Sequence, residues 1–84
     1  MSDYKIQSVI FEKHIWRVED AIDWLFANGF VVKKVDLTDN FIRFRQLSPS
    51  TLKNKGYNNY HNKRIGNGIE LVIVYKTRTM SESL

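Results

Sequence analysis

The spacing of apolar positions changes along this chain, and each change predicts an element. Residues 6–12 hold Ile6, Val9, Ile10 and Phe11, a short apolar run rich in β-branched side chains, which predicts a first strand. Over residues 18–28 the apolar positions Val18, Ala21, Ile22, Leu25 and Phe26 follow the three-four spacing of one helical face, with Glu19, Asp20 and Asp23 opposite. Asn28-Gly29 supplies the stop, the acids in the first turn suit the helix dipole, and Arg17 is a poor N-cap. Residues 30–35 and 40–47 then read as two strands joined through Asp36-Leu37-Thr38-Asp39, a link short enough for an antiparallel hairpin.

Ser48-Pro49 followed by Gly56 has a capping hydroxyl, proline at the first helical position and glycine beyond the end, which predicts a helix of one or two turns. Asn67-Gly68 is the preferred pair of a type I′ turn, so residues 62–65 are expected to pair back on residues 69–76. In that last strand Ile69, Leu71, Ile73 and Tyr75 line one face and Val72 and Val74 the other, the pattern of a strand covered on both sides. The main helix covers one face. The connection over residues 48–66 is the only segment long enough to cover the second, and Leu52, Tyr57, Tyr60 and Ile65 are its candidate anchors.

The expected fold is therefore a two-layer α+β domain, with one main helix on a mostly antiparallel sheet of four or five short strands in the order β-α-β-β-turn-β-β. Length agrees, since 84 residues make one small domain. Its ordered core is expected over about residues 4–77, with polar tails at both ends. The absence of cysteine rules out disulfides and thiolate metal sites, and points to an intracellular or intraviral setting rather than a secreted one. No apolar run approaches the roughly 20 residues that cross a bilayer, and no apolar signal region follows the polar start, so no membrane partner is expected.

Charge separates along the chain. Residues 40–69 carry six Lys and Arg, six Asn and four aromatics without one acid, whereas residues 1–39 carry five cations against seven acids. The net charge of +4 thus arises wholly from the centre, and a concentrated cationic field favours polyanions such as DNA or RNA. Within it, residues 40–46 alternate, so that Phe41, Arg43 and Arg45 share one strand face while Ile42 and Phe44 share the other. Guanidiniums interleaved with an aromatic suit phosphate contact and base stacking. The same arginines could instead pair with Asp36, Asp39 or Glu70 and cover the sheet with their stems. Lys53, Lys55, Lys63 and Arg64 surround Tyr57, Tyr60 and His61 among Asn and Gly, a composition that fits phosphate contact and stacking.

Catalytic and metal chemistry find little support. Gly66-Asn67-Gly68 precedes a strand and lacks the Lys-Ser/Thr of a phosphate-cradling loop, so it reads as a turn. No histidine stands at ligand spacing from Glu19, Asp20 and Asp23, and His14 and His61 belong to no recognisable Ser-His-acid arrangement. Trp24 reads as packing and Trp16 as a candidate contact residue.

Three segments, Arg43-Phe44-Arg45-Gln46, Pro49-Ser50 and the run Ile65-Gly66-Asn67-Gly68-Ile69-Glu70-Leu71-Val72-Ile73, carry a resemblance. Over about residues 6–76 the chain resembles a short uncharacterised domain family that recurs in large double-stranded DNA viruses and tailed phages, alone or within longer proteins. Where similar sequences often place Arg after an aromatic, Tyr60 is here followed by His61. The resemblance implies a viral origin and a non-enzymatic module, acting inside the infected host or packaged in the virus particle.

The leading expectation is non-catalytic nucleic-acid binding, without cofactor or metal and with weak sequence specificity, on Arg43, Arg45, Lys53, Lys55, Tyr57, Tyr60, Lys63 and Arg64. The alternative is a structural or assembly module whose basic face meets an acidic protein. A homodimer is compatible with either.

Overall fold

Hydrophobic alternation places one strand at the centre of everything else. The computed structural model describes residues 3–76, and in it β1 (Tyr4–Glu12) is flanked by β3 (Phe41–Arg45) on one side and β5 (Ile69–Lys76) on the other. The edges are β2 (Lys34–Leu37) and β4 (Tyr57–Gly66), so the five-stranded sheet has the order β2-β3-β1-β5-β4 with every pair antiparallel. Helix α1 (Val18–Ala27) follows β1, and a short helix α2 (Pro49–Asn54) precedes β4. The α+β fold and its element order are those expected from the sequence. The proposed tail beyond Lys76 lies outside the described residues.

One face of the sheet buries Val9 and Phe11 of β1, Ile42 and Phe44 of β3 and Ile69 of β5 against Ala21 and Leu25 of α1. The register accounts for this layer, because Val9 lies opposite Phe44 and Leu71 while Phe11 lies opposite Ile42 and Ile69. Trp16 belongs to the same layer rather than to a contact surface. Its ring meets Phe11 edge-on at 5.1 Å, and its Nε1 donates to the Asn67 carbonyl at 2.6 Å. That bond ties the β4–β5 turn to the end of β1. Asn67 and Gly68 both have positive φ (57° and 71°), as a type I′ turn requires. A Cβ on Gly68 would stand 2.8 Å from Ile15 Cδ1, the tip of an exposed side chain that can shift, so glycine is favoured there chiefly by its positive φ.

The strand predicted over residues 30–35 is corrected: β2 begins only at Lys34. Phe30 is held by its own helix, with its N–H donating to the Leu25 carbonyl at 2.9 Å and its ring stacked on Trp24 at 5.9 Å. Val31 has its backbone N–H and C=O bonded by the side-chain amide of Gln46, at 2.9 and 2.8 Å, which satisfies the chain without a strand partner.

The connection over residues 48–66 is corrected as well. Ser48 caps α2, accepting from the Thr51 N–H at 3.2 Å, and Leu52 packs with Tyr57, Val74 and Leu47 on the face away from α1. Beyond Gly56 the chain is not a covering loop but a ten-residue edge strand. Tyr60 lies on the face away from α1 and Ile65 on the α1 side, both are exposed on this edge strand, and only Leu52 and Tyr57 act as anchors.

Candidate nucleic-acid interface

Antiparallel register sorts the face opposite α1 into rows that run across the sheet. Asp36, Arg43, Ile10, Glu70 and Arg64 form one row through all five strands, and its charges cancel. The next row toward α2 is Lys34, Arg45, Ser8, Val72 and Asn62, which holds two cations and no acid. Beyond it Lys5 lies opposite Val74, and Tyr60 lies opposite Val74 on the other side. The positive field of this face is thus concentrated at its α2 end.

Arg43 and Arg45, side by side in sequence pattern, have different surroundings. Arg43 is bound into the protein: its Nη2 donates to Gln7 Oε1 at 2.9 Å and its Nε to Ser8 Oγ at 3.2 Å. Gln7 occupies a bulge in β1, is 3% exposed, and donates to the Leu47 carbonyl at 3.1 Å, so the network fastens β1 to β3 and to the chain entering α2. Arg43→Gln removes charged donors from buried acceptors. We expect a loss of about 1–3 kcal/mol of stability, read by thermal unfolding, with little change in the salt dependence of phosphate binding.

Arg45 has no such partner among the described residues. Its Nε is buried without a hydrogen bond among the described residues, and the residue directly opposite on β2 is Lys34. Like charges placed opposite one another oppose strand pairing, and a buried Nε–H without an acceptor adds to the cost. The like-charge cost falls when an anion sits over the pair.

The remaining predicted residues divide. Tyr57 is buried, and its hydroxyl donates to Asp3 Oδ1 at 2.7 Å. That hydrogen bond, with desolvation and the carboxylate's charge, raises its pKa above the usual phenol value, and the ring is not free to stack on a ligand. Tyr60 is 44% exposed on the face of Arg45. Arg64 reaches across β5 to Glu12 Oε2 at 2.8 Å, a compensated surface pair. Lys63, one residue earlier on a strand, points to the α1 side, where it borders a second groove of about 280 Å³ with Tyr4, Ile65 and Tyr75. Lys53 of α2 and Lys55 at its C-cap are exposed at the α2 end.

Three cations of the same end, Lys5, Lys34 and Lys76, lie outside the acid-free stretch and were not singled out from sequence. Lys5 sits 6.0 Å above the Tyr57 ring, and Lys76 is the register partner of Tyr57. The alternation Lys34-Val35-Asp36-Leu37 places Lys34 away from the core; which strand it would neighbour is a matter of register. No group of three His, Asp or Glu side chains converges among the described residues, and none of the described helices is long and apolar enough to cross a membrane.

No protein-family model, curated protein or solved structure matches the chain.

Proposed function

We propose that the protein is a non-catalytic nucleic-acid-binding module, contacting phosphates with the α2 end of the sheet face opposite α1. The observation that carries this reading is the row containing Lys34 and Arg45, two directly opposed cations with no acid in line and a buried, unpartnered Nε. A structure selected for stability alone would place an acid at one of these positions, as the neighbouring row does with Asp36 opposite Arg43. Lys5, Lys53, Lys55 and Lys76 extend the field, and the exposed Tyr60 ring offers a stacking surface beside it. Together with the resemblance to viral and phage domains, this favours a role with viral nucleic acid in the infected cell or in the particle.

Three or four phosphate contacts predict that affinity for single strands falls roughly 20- to 50-fold between about 50 and 200 mM salt. Fluorescence anisotropy with single-stranded and duplex DNA and RNA measures this. Absence of binding at the lower salt removes the reading, and tight binding to an acidic protein in its place supports the assembly module.

A further inference from the structure

On the same face, but in the charge-balanced row, a groove of about 200 Å³ lies over Ile10 and is lined by Thr38, Phe41, Arg43, Arg64 and Glu70. We propose that this groove is a base subsite selecting guanine, an inference that rests on the nucleic-acid reading above and names what that surface recognises.

Charge decides against a phosphate here. Arg64 is neutralised by Glu12 at 2.8 Å, Arg43 is held by Gln7 and Ser8 and stands opposite Asp36, and Glu70 would repel an anion directly. A neutral flat ring meets none of these objections. Ile10 supplies an apolar floor, Phe41 is 44% exposed and presents an aromatic wall, and two guanidinium planes held by their own partners border the space.

Glu70 then sets which ring. Asn62 Nδ2 donates to its Oε2 at 2.7 Å, which holds the carboxylate in place and leaves acceptor lone pairs on both oxygens. A carboxylate is acceptor-only and matches two adjacent donors. Guanine offers N1–H and the N2 amino group side by side on its Watson–Crick edge. Adenine and cytosine present one amino donor beside a ring nitrogen acceptor, and thymine one N–H between two carbonyls, so each places an acceptor against the carboxylate. The spacing also suits a nucleotide. The groove and the Lys34–Arg45 row are two residues apart along β3, about 7 Å, so a base in the groove places its phosphate over those cations.

The test uses the full chain and short oligo-dT carrying one central dG, dA, dC or dI, at about 50 mM salt. The dG oligomer is expected to bind about tenfold more tightly than the dA and dC ones, and dI, which lacks the N2 amino group, to lose most of that advantage. Glu70→Gln, which puts amide donors where guanine needs acceptors, is expected to abolish the preference without weakening oligo-dT binding. Phe41→Ala is expected to weaken all oligomers about tenfold while leaving the salt slope unchanged. Equal affinity for dG, dA and dC, or a dG preference that survives in dI or in Glu70→Gln, overturns the guanine subsite and leaves phosphate binding standing. Failure of every oligomer to bind overturns both readings, and the groove then belongs to a protein side chain.

Discussion

Replacing Phe11 by alanine is expected to cost about 3–5 kcal/mol, the range for deleting a fully buried aromatic ring. Phe11 has no exposed surface, sits on the central strand and meets Trp16, Trp24 and Phe44 edge-on at centroid distances of 5.1, 5.7 and 5.6 Å. Those three rings come from the loop after β1, from α1 and from β3, so the cavity would loosen every element on that side at once. At about 0.05–0.15 kcal/mol per residue, a domain of this length has only a small reserve against such a loss. The midpoint of thermal unfolding, followed by circular dichroism, should fall on the order of 20 °C. Phe26→Ala is the control, because that ring on α1 is 65% exposed and its removal should shift the midpoint hardly at all. Equal shifts for the two would mean that the aromatic cluster is not the core.

The second large effect concerns binding. Lys34→Gln combined with Arg45→Gln removes two phosphate contacts, which at about 50 mM salt should weaken single-strand binding roughly 60-fold and at about 200 mM roughly tenfold. Stability should stay level or rise by up to about 1 kcal/mol, because the substitution ends a like-charge opposition within the ladder. Opposite movement of affinity and stability distinguishes a binding residue from a packing one. Arg43→Gln is expected to show the reverse pattern, although the two arginines share one strand and one face. If the double variant unfolds early and binds as before, Lys34 and Arg45 are structural and the proposed surface is lost.

Tyr57 makes a smaller contribution, one that is lost at high pH. Its pKa is raised in the folded protein, chiefly by the hydrogen bond to Asp3, so the unfolded chain loses this proton first as pH rises. The bond's contribution is therefore complete below the ordinary phenol range and fades as pH climbs through it toward the folded value. Near neutrality it is fully present and does not vary with pH.

Local chemistry was legible wherever it depended on neighbours in sequence. The three-four spacing of Val18, Ala21, Ile22, Leu25 and Phe26 defined α1, although Phe26 proves exposed; Ser48-Pro49 opened α2, Asn67-Gly68 made the turn, and strict alternation put Phe41, Arg43 and Arg45 on one face. These features have periods of two to four residues and need no knowledge of the rest of the chain. The polar run over residues 57–61 was misread for the complementary reason. With few β-branched residues it has no strand signal of its own, and it is a strand because β5 offers it a hydrogen-bonding edge.

What register decides cannot be seen in any window of sequence. It set Arg43 against the buried Gln7 and Ser8 and Arg45 against Lys34, and brought Glu70 across the sheet from Arg43. It also moved the positive field from the acid-free stretch to a patch that includes Lys5, Lys34 and Lys76. A side chain's face follows from its own strand, but its partners come from strands tens of residues away, and a slip of one residue would exchange them all. The sequence by itself determined which elements form and that their central surface is basic; only the tertiary pairing decided which cations lack an acid, and that is the distinction on which the proposed interface rests.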